Sequence, residues 1–331
     1  MMKSPKFTAV VPLFNKVSAI SSTLDSIFSQ TYDNFELIVV NDGSTDGSAE
    51  IVANLKHRSL RLVNQPNMGV SSARNTGIRL ARAPYVAFLD ADDLWMPDYL
   101  EILAKLIDDF PGAGIYATSY LLSDGGGALR EPKIAREAAA MKPGPMPNYF
   151  QVATIGDTPF LTISCCADRS ILQSLGGFKP ELRYGEDTDM WGRIALSNSI
   201  VYSPAQKSIY RLEAENRASR RIPDLIPCAF REDAELAIDL GAVDPAHIDS
   251  IREYLTRIDL YNVRSNLTNP DRRSLRKFID NLHTTTLTRR KMIYRSCSYL
   301  PGPLIGGAIS LHGFIKQKAP WLLSWILREL F

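Results

Sequence analysis

Short apolar runs alternate with segments of helical periodicity through the first third of this chain, and this alternation limits the folds open to it. The apolar runs at 7–12, 35–40, 60–63 and 86–89 have the length of buried strands. Between them apolar residues recur every three or four positions, as they do over 20–28. Strands that alternate with helices form βαβ units. The pattern therefore predicts an α/β fold with a mainly parallel open sheet and flanking helices.

The later sequence extends this pattern and then departs from it. Further strands are predicted at 113–122 and 200–210, ordered structure at 162–167, and further helices at 97–110, 168–175 and 184–196. The Gly- and Pro-rich stretch 123–147 is predicted to be a long loop, either a lid or acceptor-binding segment or a plain surface insertion. From about residue 222 helices follow without strands. We therefore predict a catalytic domain at 1–221 and a helical C-terminal region at 222–331.

The composition is that of a globular protein with no general affinity for nucleic acid. The 331 residues are 45% hydrophobic and carry a net charge of +2. The basic excess is local, because 264–295 holds nine basic residues against two aspartates. Four cysteines without CxxC spacing favour a reducing compartment. No secretory signal precedes the first strand, so the cytoplasm is the expected location.

The end of the chain is apolar but interrupted. Residues 299–315 contain several glycines and prolines, which makes this stretch too short and too broken for a spanning helix. Residues 319–331 concentrate apolar side chains, including Trp321 and Trp325, and basic residues precede them. Two interpretations remain open: an anchor on the anionic inner face of the cell membrane, or a helix packed against the rest of the protein.

Three carboxylates directly follow the apolar run at 86–89. Asp90, Asp92 and Asp93 are predicted to lie at the carboxyl end of a strand, where open α/β sheets bind ligands. Crowding like charges there costs free energy unless a cation compensates them, and oxygen ligands of this kind suit Mg²⁺ or Mn²⁺. The alternative is a solvated acidic turn in which Asp93 caps the next helix.

Three further polar clusters follow other predicted strands or begin helices. Asp42 lies in an Asp-Gly turn and could accept hydrogen bonds from a base or ribose. Asn67 and Gly69 precede a helix that carries Arg74, which favours phosphate binding at the helix start. Residues 185–189 combine several acids at a helix start and could supply a general base. Each cluster alone is equally compatible with ordinary turns, caps and solvated acids.

Taken together and in this order, the motifs resemble those of the inverting family 2 glycosyltransferases, which have a GT-A fold. The likeness covers about residues 5–215. It is carried by the segments Val10–Asn15, Gln30–Tyr32 with Phe35–Glu36, Val40–Asp46, Asn67–Gly69 with Ala73–Asn75, Phe88–Asp93, Gly176–Phe178 and Gly185–Asp187. Any one segment is a weak signal, whereas the ordered set is specific.

The resemblance implies a nucleotide-diphospho-sugar donor, most often linked to UDP. It implies that Phe14 lies against the base, that Asp42 binds the base, and that Asp92 with Asp93 contacts the ribose and a Mn²⁺ or Mg²⁺ ion. The residues predicted to bind the donor are Pro12, Phe14, Asp42, Asn67, Gly69, Arg74, Asp90 and Asp92.

The resemblance also implies that an acidic residue activates an acceptor hydroxyl for in-line attack with inversion. We favour Asp187 as this base, and Glu186 is the alternative. The basic, apolar tail suggests that the acceptor is a glycan or lipid-linked glycan of the cell surface.

One position departs from the family pattern. Many relatives have a histidine after a Tyr-Arg pair near the end of the domain, whereas here Tyr210, Arg211 and Leu212 precede Glu213. Either Glu213 serves as an oxygen ligand in its place, or the aspartates act alone. Two other functions were weighed: a nucleotidyltransferase, which lacks its usual glycine-rich loop in 11–16, and a non-catalytic membrane-associated scaffold that has kept the fold.

Overall fold

A mixed sheet forms the centre of the protein, which is represented here by a computed structural model that describes residues 4–214, 225–301 and 305. The strands are β1 (Phe7–Leu13), β2 (Phe35–Asp42), β3 (Leu60–Gln65), β4 (Tyr85–Phe88), β5 (Leu94–Trp95), β6 (Ile115–Ser123), β7 (Leu129–Arg130), β8 (Gly144–Pro145), β9 (Cys165–Asp168) and β10 (Ile200–Arg211). The main strand order is β3-β2-β1-β4-β9-β6-β10-β5.

Helices cover both faces of this sheet and make up the C-terminal region. They are α1 (Ile20–Phe28), α2 (Ser48–Asn54), α3 (Val70–Leu80), α4 (Tyr99–Asp109), α5 (Arg136–Ala139), α6 (Tyr149–Thr154), α7 (Arg169–Ser174), α8 (Glu186–Ala195), α9 (Phe230–Asp239), α10 (Ile248–Ser265), α11 (Arg272–Asp280) and α12 (Thr288–Cys297). This arrangement confirms the predicted α/β fold with flanking helices and a helical C-terminal region.

The first four strands of the βαβ pattern run parallel to one another, as predicted. Successive residues of β1 face opposite sides: Val10 belongs to one hydrophobic cluster and Val11 to the other. Helix α3 approaches β1 closely, because a Cβ on Gly77 would lie 2.3 Å from Val10 Cγ1. This close contact fixes α3, which carries Arg74, against the sheet.

The second half of the sheet departs from a simple parallel order. Strand β9 lies antiparallel between β4 and β6, whereas β6 and β10 pair in parallel. Stretch 123–147 contains β7, α5 and β8 in addition to loops, and α6 follows without a clear signal in the sequence. The helix predicted to include Pro97 begins later, at Tyr99, with Asp98 at its N-cap. Pro97 therefore precedes the helix.

The C-terminal helices pack onto the α/β part. Phe230 of α9 stacks on Phe150 of α6, with ring centroids 6.0 Å apart, and Tyr254 of α10 lies 5.5 Å from Phe150. Helices α11 and α12 contribute to a separate hydrophobic cluster that includes Leu275 and Tyr294. The domain boundary predicted near residue 222 lies outside the described residues. So do almost all residues of the predicted membrane anchor, including 319–331.

Candidate active site

The Asp90–Asp93 turn follows β4 and is fixed by α1. The backbone N–H of Leu89 donates to Val10 O at 3.1 Å, and that of Asp93 donates to Asp90 O at 3.0 Å. The hydroxyl of Thr23 lies within 3.0 Å of the carbonyl oxygens of both Ala91 and Asp93. The turn therefore has a defined backbone at the carboxyl edge of the sheet, as the sequence predicted.

Two basic residues approach the aspartates of this turn. Lys16 Nζ lies 2.6 Å from Asp92 Oδ2, and the backbone N–H of Arg211 donates to Asp93 Oδ1 at 2.8 Å. The Arg211 side chain donates to the Asp92 carbonyl oxygen. Asp93 Oδ2 is buried and has no hydrogen-bond partner among the described residues. The N-cap of α4 is Asp98. Asp93 therefore does not cap this helix, and the alternative interpretation, in which it did, is wrong on this point.

Burial and mutual repulsion act on the same two carboxyl groups. Burial raises the pKa of Asp92, and the neighbouring Asp90 charge adds to that rise. Burial likewise raises the pKa of Asp93, with further contributions from Asp92 and Asp90. Lys16 and Arg211 oppose these shifts only in part. The turn is therefore an electrostatically costly arrangement to which a further cation would be attracted.

Arg74 joins two of the predicted motifs directly. Its Nη2 lies 2.8 Å from Asp90 Oδ1 and its Nη1 lies 2.9 Å from Glu186 Oε1. The guanidinium is buried, and its carbon lies 5.2 Å from the centre of the Phe178 ring. Arg74 Nε has no hydrogen-bond partner among the described residues. The acids after β4 and the acids at the start of α8 are therefore parts of one site.

The turn at Gly176–Phe178 locks α3 to the region before α8. Asn75 Nδ2 donates to Phe178 O at 2.7 Å, and the Phe178 N–H donates back to Asn75 Oδ1 at 2.8 Å. Gly177 has a φ of +76°, and a Cβ there would lie 2.3 Å from Asn75 Oδ1. Only glycine satisfies both the backbone conformation and the space at this position.

Glu186 and Asp187 occupy the first turn of α8 but have different surroundings. Glu186 is held by Arg74; burial and the Asp187 charge raise the pKa of Glu186, and Arg74 opposes this rise. Asp187 Oδ1 accepts hydrogen bonds from the N–H and the hydroxyl of Thr188, at 2.7 and 3.3 Å. Among the described residues, Asp187 Oδ2 accepts none. Asp189, in contrast, is a structural ion-pair partner of Lys179 and Arg193.

Asp42 organises the neighbouring edge of the sheet. It is 3% exposed. Its Oδ1 accepts from Gln65 Nε2 and from Met68 N, and its Oδ2 accepts from Gly69 N, each at 2.8 Å. These bonds hold the turn that contains Asn67 and Gly69 beside the end of β2. Since a carboxylate can accept about four hydrogen bonds, one acceptor position remains for a ligand.

Two predicted donor residues lie at the end of β1. Pro12 is within the strand and half-buried, and Phe14 follows it with 44% of its surface exposed. An exposed aromatic ring at the edge of a buried sheet suits stacking on a base. Thus all of the predicted donor residues lie on the strand ends or in the turns and the helix that follow them.

A cavity of about 460 Å³ borders the Asp90–Asp93 turn. It is lined by Asn15, Lys16, Val17, Ser18, Ala19, Asp46, Asp92, Arg211, Glu213 and Ala214. Glu213 also accepts a hydrogen bond from Ser123 Oγ at 3.2 Å. The sequence indicates Glu213 as a possible oxygen ligand, but it does not indicate Lys16 and Arg211 as partners of the aspartates. The spacing in the chain contains no signal for those contacts, which span 76 and 118 residues.

Within the part of the chain that the structure describes, no three His, Cys, Asp or Glu side chains form a recognisable metal site. Asp92 nevertheless lines the cavity, and Asp93, a second carboxylate, is the next residue of the turn. Mg²⁺ is commonly held by one or two carboxylates together with substrate phosphates. The residues that could hold a divalent cation here are therefore these two aspartates, with the substrate supplying further oxygens.

No helix among the described residues has the length and hydropathy needed to cross a bilayer. All four cysteines are free thiols, in agreement with the absence of disulfide spacing in the sequence.

Solved structures with the same architecture include glycosyltransferases. TarS of S. aureus (residues 1–349, complex with UDP-GlcNAc) aligns with a TM-score of 0.65 over 88% of both chains, at 21% identity. A mannosyltransferase from Pyrobaculum calidifontis, PcManGT, in complex with GDP-Man and Mn²⁺, aligns with a TM-score of 0.53 over 93% of this chain and 87% of its own, at 20% identity. At these identities the likeness establishes the fold, in agreement with the predicted GT-A type.

Sequence comparisons identify the family to which the chain belongs. The glycosyltransferase GlyA of Streptococcus pneumoniae is 44% identical over 113 residues, which are 33% of this chain and 16% of GlyA. The amylovoran biosynthesis glycosyltransferase AmsB of Erwinia amylovora is 37% identical over 134 residues, 38% of this chain and 44% of AmsB. The matched regions therefore span less than half of either relative. The family model for glycosyl transferase family 2 matches residues 8–174, half of this chain. The chain belongs to glycosyltransferase family 2.

Proposed function

We propose that this protein transfers a sugar from a nucleotide-diphospho-sugar, a UDP-sugar, to a hydroxyl group of a glycan or lipid-linked glycan. The observation that carries the proposal is the buried Arg74 bridge between Asp90 and Glu186. It joins the donor-side strand ends to a pair of acids that can activate an acceptor. Family membership and the UDP-GlcNAc complex of the structural neighbour TarS support a nucleotide-sugar donor.

The donor is proposed to lie across the carboxyl ends of β1, β2 and β4. Phe14 stacks on the base, and the remaining acceptor position of Asp42 receives a base N–H. The turn at Asn67 and Gly69, which Asp42 holds in place, lies along the same path. Asp92 binds the ribose, and Arg74 balances the charge of Asp90 beside the diphosphate.

A divalent cation, Mn²⁺ or Mg²⁺, fits the residues at the Asp90–Asp93 turn. The buried and unpartnered Asp93 Oδ2, the raised pKa values of Asp92 and Asp93, which burial causes first, and the all-oxygen donor set support this assignment. Asp92 and Asp93 would hold the ion, which when bound would act as a Lewis acid on the leaving diphosphate. The structural neighbour PcManGT was solved with Mn²⁺.

Asp187 is proposed as the general base. Glu186 is committed to Arg74 and has little freedom to approach an acceptor, whereas Asp187 Oδ2 accepts no hydrogen bond among the described residues. The acceptor hydroxyl passes its proton to Asp187 as its oxygen bonds to the sugar C1. The bond from C1 to the diphosphate oxygen breaks on the opposite side. Attack from the face opposite the leaving group inverts the configuration at C1.

Two observations support the proposed acceptor class. The amylovoran biosynthesis role named for AmsB supports a surface polysaccharide acceptor. The basic residues over 264–295 are compatible with an acceptor or membrane surface that carries negative charge. The apolar tail proposed to reach that surface lies outside the described residues.

A donor screen tests the proposal. The full chain is incubated with a panel of UDP-, GDP- and dTDP-sugars, with Mn²⁺ or with EDTA, and both the melting temperature and the release of nucleoside diphosphate are measured. We expect a UDP-sugar to raise the melting temperature, since a bound ligand stabilises the native state, and to release UDP only when Mn²⁺ is present. Absence of stabilisation and of release with every donor contradicts the proposed function.

A further inference from the structure

Two tyrosines from distant parts of the chain stack beside the proposed base. Tyr184 precedes α8, and Tyr261 lies in the second half of α10. Their ring centroids are 6.1 Å apart and their planes differ by 12°, which is an offset stack. Tyr261 remains 44% exposed. The pair therefore presents an aromatic surface to solvent rather than filling a core.

The tyrosine pair lies near the proposed base because Tyr184 and Asp187 are close in the sequence. Tyr184 is three residues before Asp187, so their Cα atoms lie within about 11 Å of each other. Burial raises the pKa of Tyr184, and the neighbouring Tyr261 hydroxyl and the charge of Asp187 raise it further. The charge of the proposed base thus acts on the tyrosine pair.

Helix α10 lies along the same side of the base. Tyr149 and Tyr254 contact each other through their hydroxyl oxygens at 3.2 Å. Burial raises the pKa of Tyr254 to about 12, and the charges of Arg257 and Asp187 act on it in opposite directions. Arg257 donates to Gly156 O at 2.8 Å and is one turn before Tyr261, so the two residues share a face of α10. The C-terminal helical region thereby borders the segment that leads into α8 and the proposed base.

This inference rests on the proposed function and identifies the part of the site that holds the acceptor. The proposed donor residues occupy the ends of β1, β2 and β4, so a group that gives its proton to Asp187 approaches from the side of α8 and α10. A pyranose ring has an apolar C–H face surrounded by hydroxyls. A tyrosine complements both parts, because it combines an apolar ring with a polar tip. We propose that Tyr184 and Tyr261 form a subsite for a sugar ring of the acceptor.

Ligand-observed NMR on the full chain tests this subsite. The probes are the methyl glycosides of glucose, galactose, mannose and N-acetylglucosamine, each titrated by saturation transfer in the presence of UDP and Mn²⁺. The variants are Tyr261→Ala, Tyr261→Phe and, as a matched control, Tyr299→Ala. Tyr299 is 59% exposed and follows α12, where its ring contacts the Arg276 and Arg295 guanidinium groups.

We expect at least one glycoside to bind the wild type, and Tyr261→Ala to weaken its Kd about five- to tenfold, which is the effect of one aromatic contact. Tyr261→Phe keeps the ring and should weaken the Kd less than Tyr261→Ala does, and Tyr299→Ala should retain the wild-type Kd. The Kd for UDP, measured on each variant, shows that the fold is intact. Equal glycoside binding by the wild type and Tyr261→Ala, or no binding of any glycoside to the wild type, overturns the subsite. Failure of the wild type to bind UDP instead refutes the UDP-linked donor of the proposed function.

Discussion

The proposed donor side and the proposed acceptor side of the site hold their carboxylates in different ways. On the donor side, Asp42 accepts two backbone N–H groups and one side-chain amide from a turn 23 to 27 residues away in the chain. On the acceptor side, Glu186 is held by a guanidinium 112 residues away. The position of Asp42 thus follows from neighbouring βαβ units, whereas the position of Glu186 depends on long-range packing. We therefore expect substitutions that remove a ligand contact to differ, in their effects on activity and stability, from substitutions that disturb the link between the two sides.

The largest expected effect is on the donor side. Asp92→Asn should lower the rate of sugar transfer by at least about 1000-fold, because it removes a charge from the proposed metal and ribose site. Asp108→Asn is the control, since Asp108 is an exposed partner of Lys6 at the start of β1. Initial rates with the donor found by the screen decide the outcome. More than a tenth of wild-type activity in Asp92→Asn would remove Asp92 from the proposed site.

Removing the link itself should also lower stability. Arg74→Met leaves Asp90 and Glu186 without their shared cation, and we expect it to lower the free energy of unfolding by about 3–5 kcal/mol. Arg295→Met breaks the exposed ion pair with Asp280 and should cost at most about 1 kcal/mol. Urea denaturation measures both variants. Similar losses in the two would show that the Arg74 bridge contributes no more than a surface ion pair.

The turn that joins α3 to the region before α8 allows a finer test. Gly176 and Gly177 both have a φ of +76°, but only at Gly177 would a Cβ meet Asn75. Gly176→Ala should cost about 1 kcal/mol for its backbone conformation, and Gly177→Ala about 3 kcal/mol because the overlap adds to it. The difference between the two variants in urea denaturation isolates the contact with Asn75. Equal costs would mean that Asn75 moves aside without penalty.

The smallest expected effect is a pH dependence at the start of β2, far from the acceptor side. Burial alone would raise the pKa of Glu36, but hydrogen bonds from Arg82 and Thr8 and the Arg82 charge outweigh it and lower the pKa. A lowered native pKa stabilises the protein above the unfolded pKa of about 4.3, and this contribution disappears as the pH falls through the native value.

The advantage of the wild type over Glu36→Gln in free energy of unfolding should therefore be constant from pH 7 to pH 5 and shrink below it. Urea denaturation from pH 7 down to pH values below the native pKa of Glu36 is the measurement. An advantage that grows as the pH falls would reverse the sign assigned to Glu36.

The strands and helices that were predicted correctly are those that short stretches of sequence determine. The first four strands and the helices between them were predicted because each apolar run ends in a turn with Gly, Asp or Asn, as at Asp42 and Gly43. Strand β9 could not be placed from the sequence, since its antiparallel insertion between β4 and β6 depends on tertiary pairing. Helix α6 was missed because its six residues follow a Pro-rich stretch.

The same distinction applies within the site. Runs of acids at strand ends predicted where Asp90, Asp92 and Asp93 would lie. The partners of these acids could not be predicted, because Lys16, Arg74 and Arg211 reach them across contacts that no spacing rule encodes. The role of each site residue in binding or catalysis stays a prediction.

The division of labour between Glu186 and Asp187 is the central claim, and one comparison tests it most directly. Sugar transfer and the Kd for UDP are measured for the wild type, Asp187→Asn and Glu186→Gln. If Asp187 is the base, Asp187→Asn abolishes transfer and leaves the Kd for UDP within about twofold of the wild type, since binding of the nucleotide does not need the base. Wild-type transfer rates in Asp187→Asn, with transfer lost only in Glu186→Gln, would contradict the account.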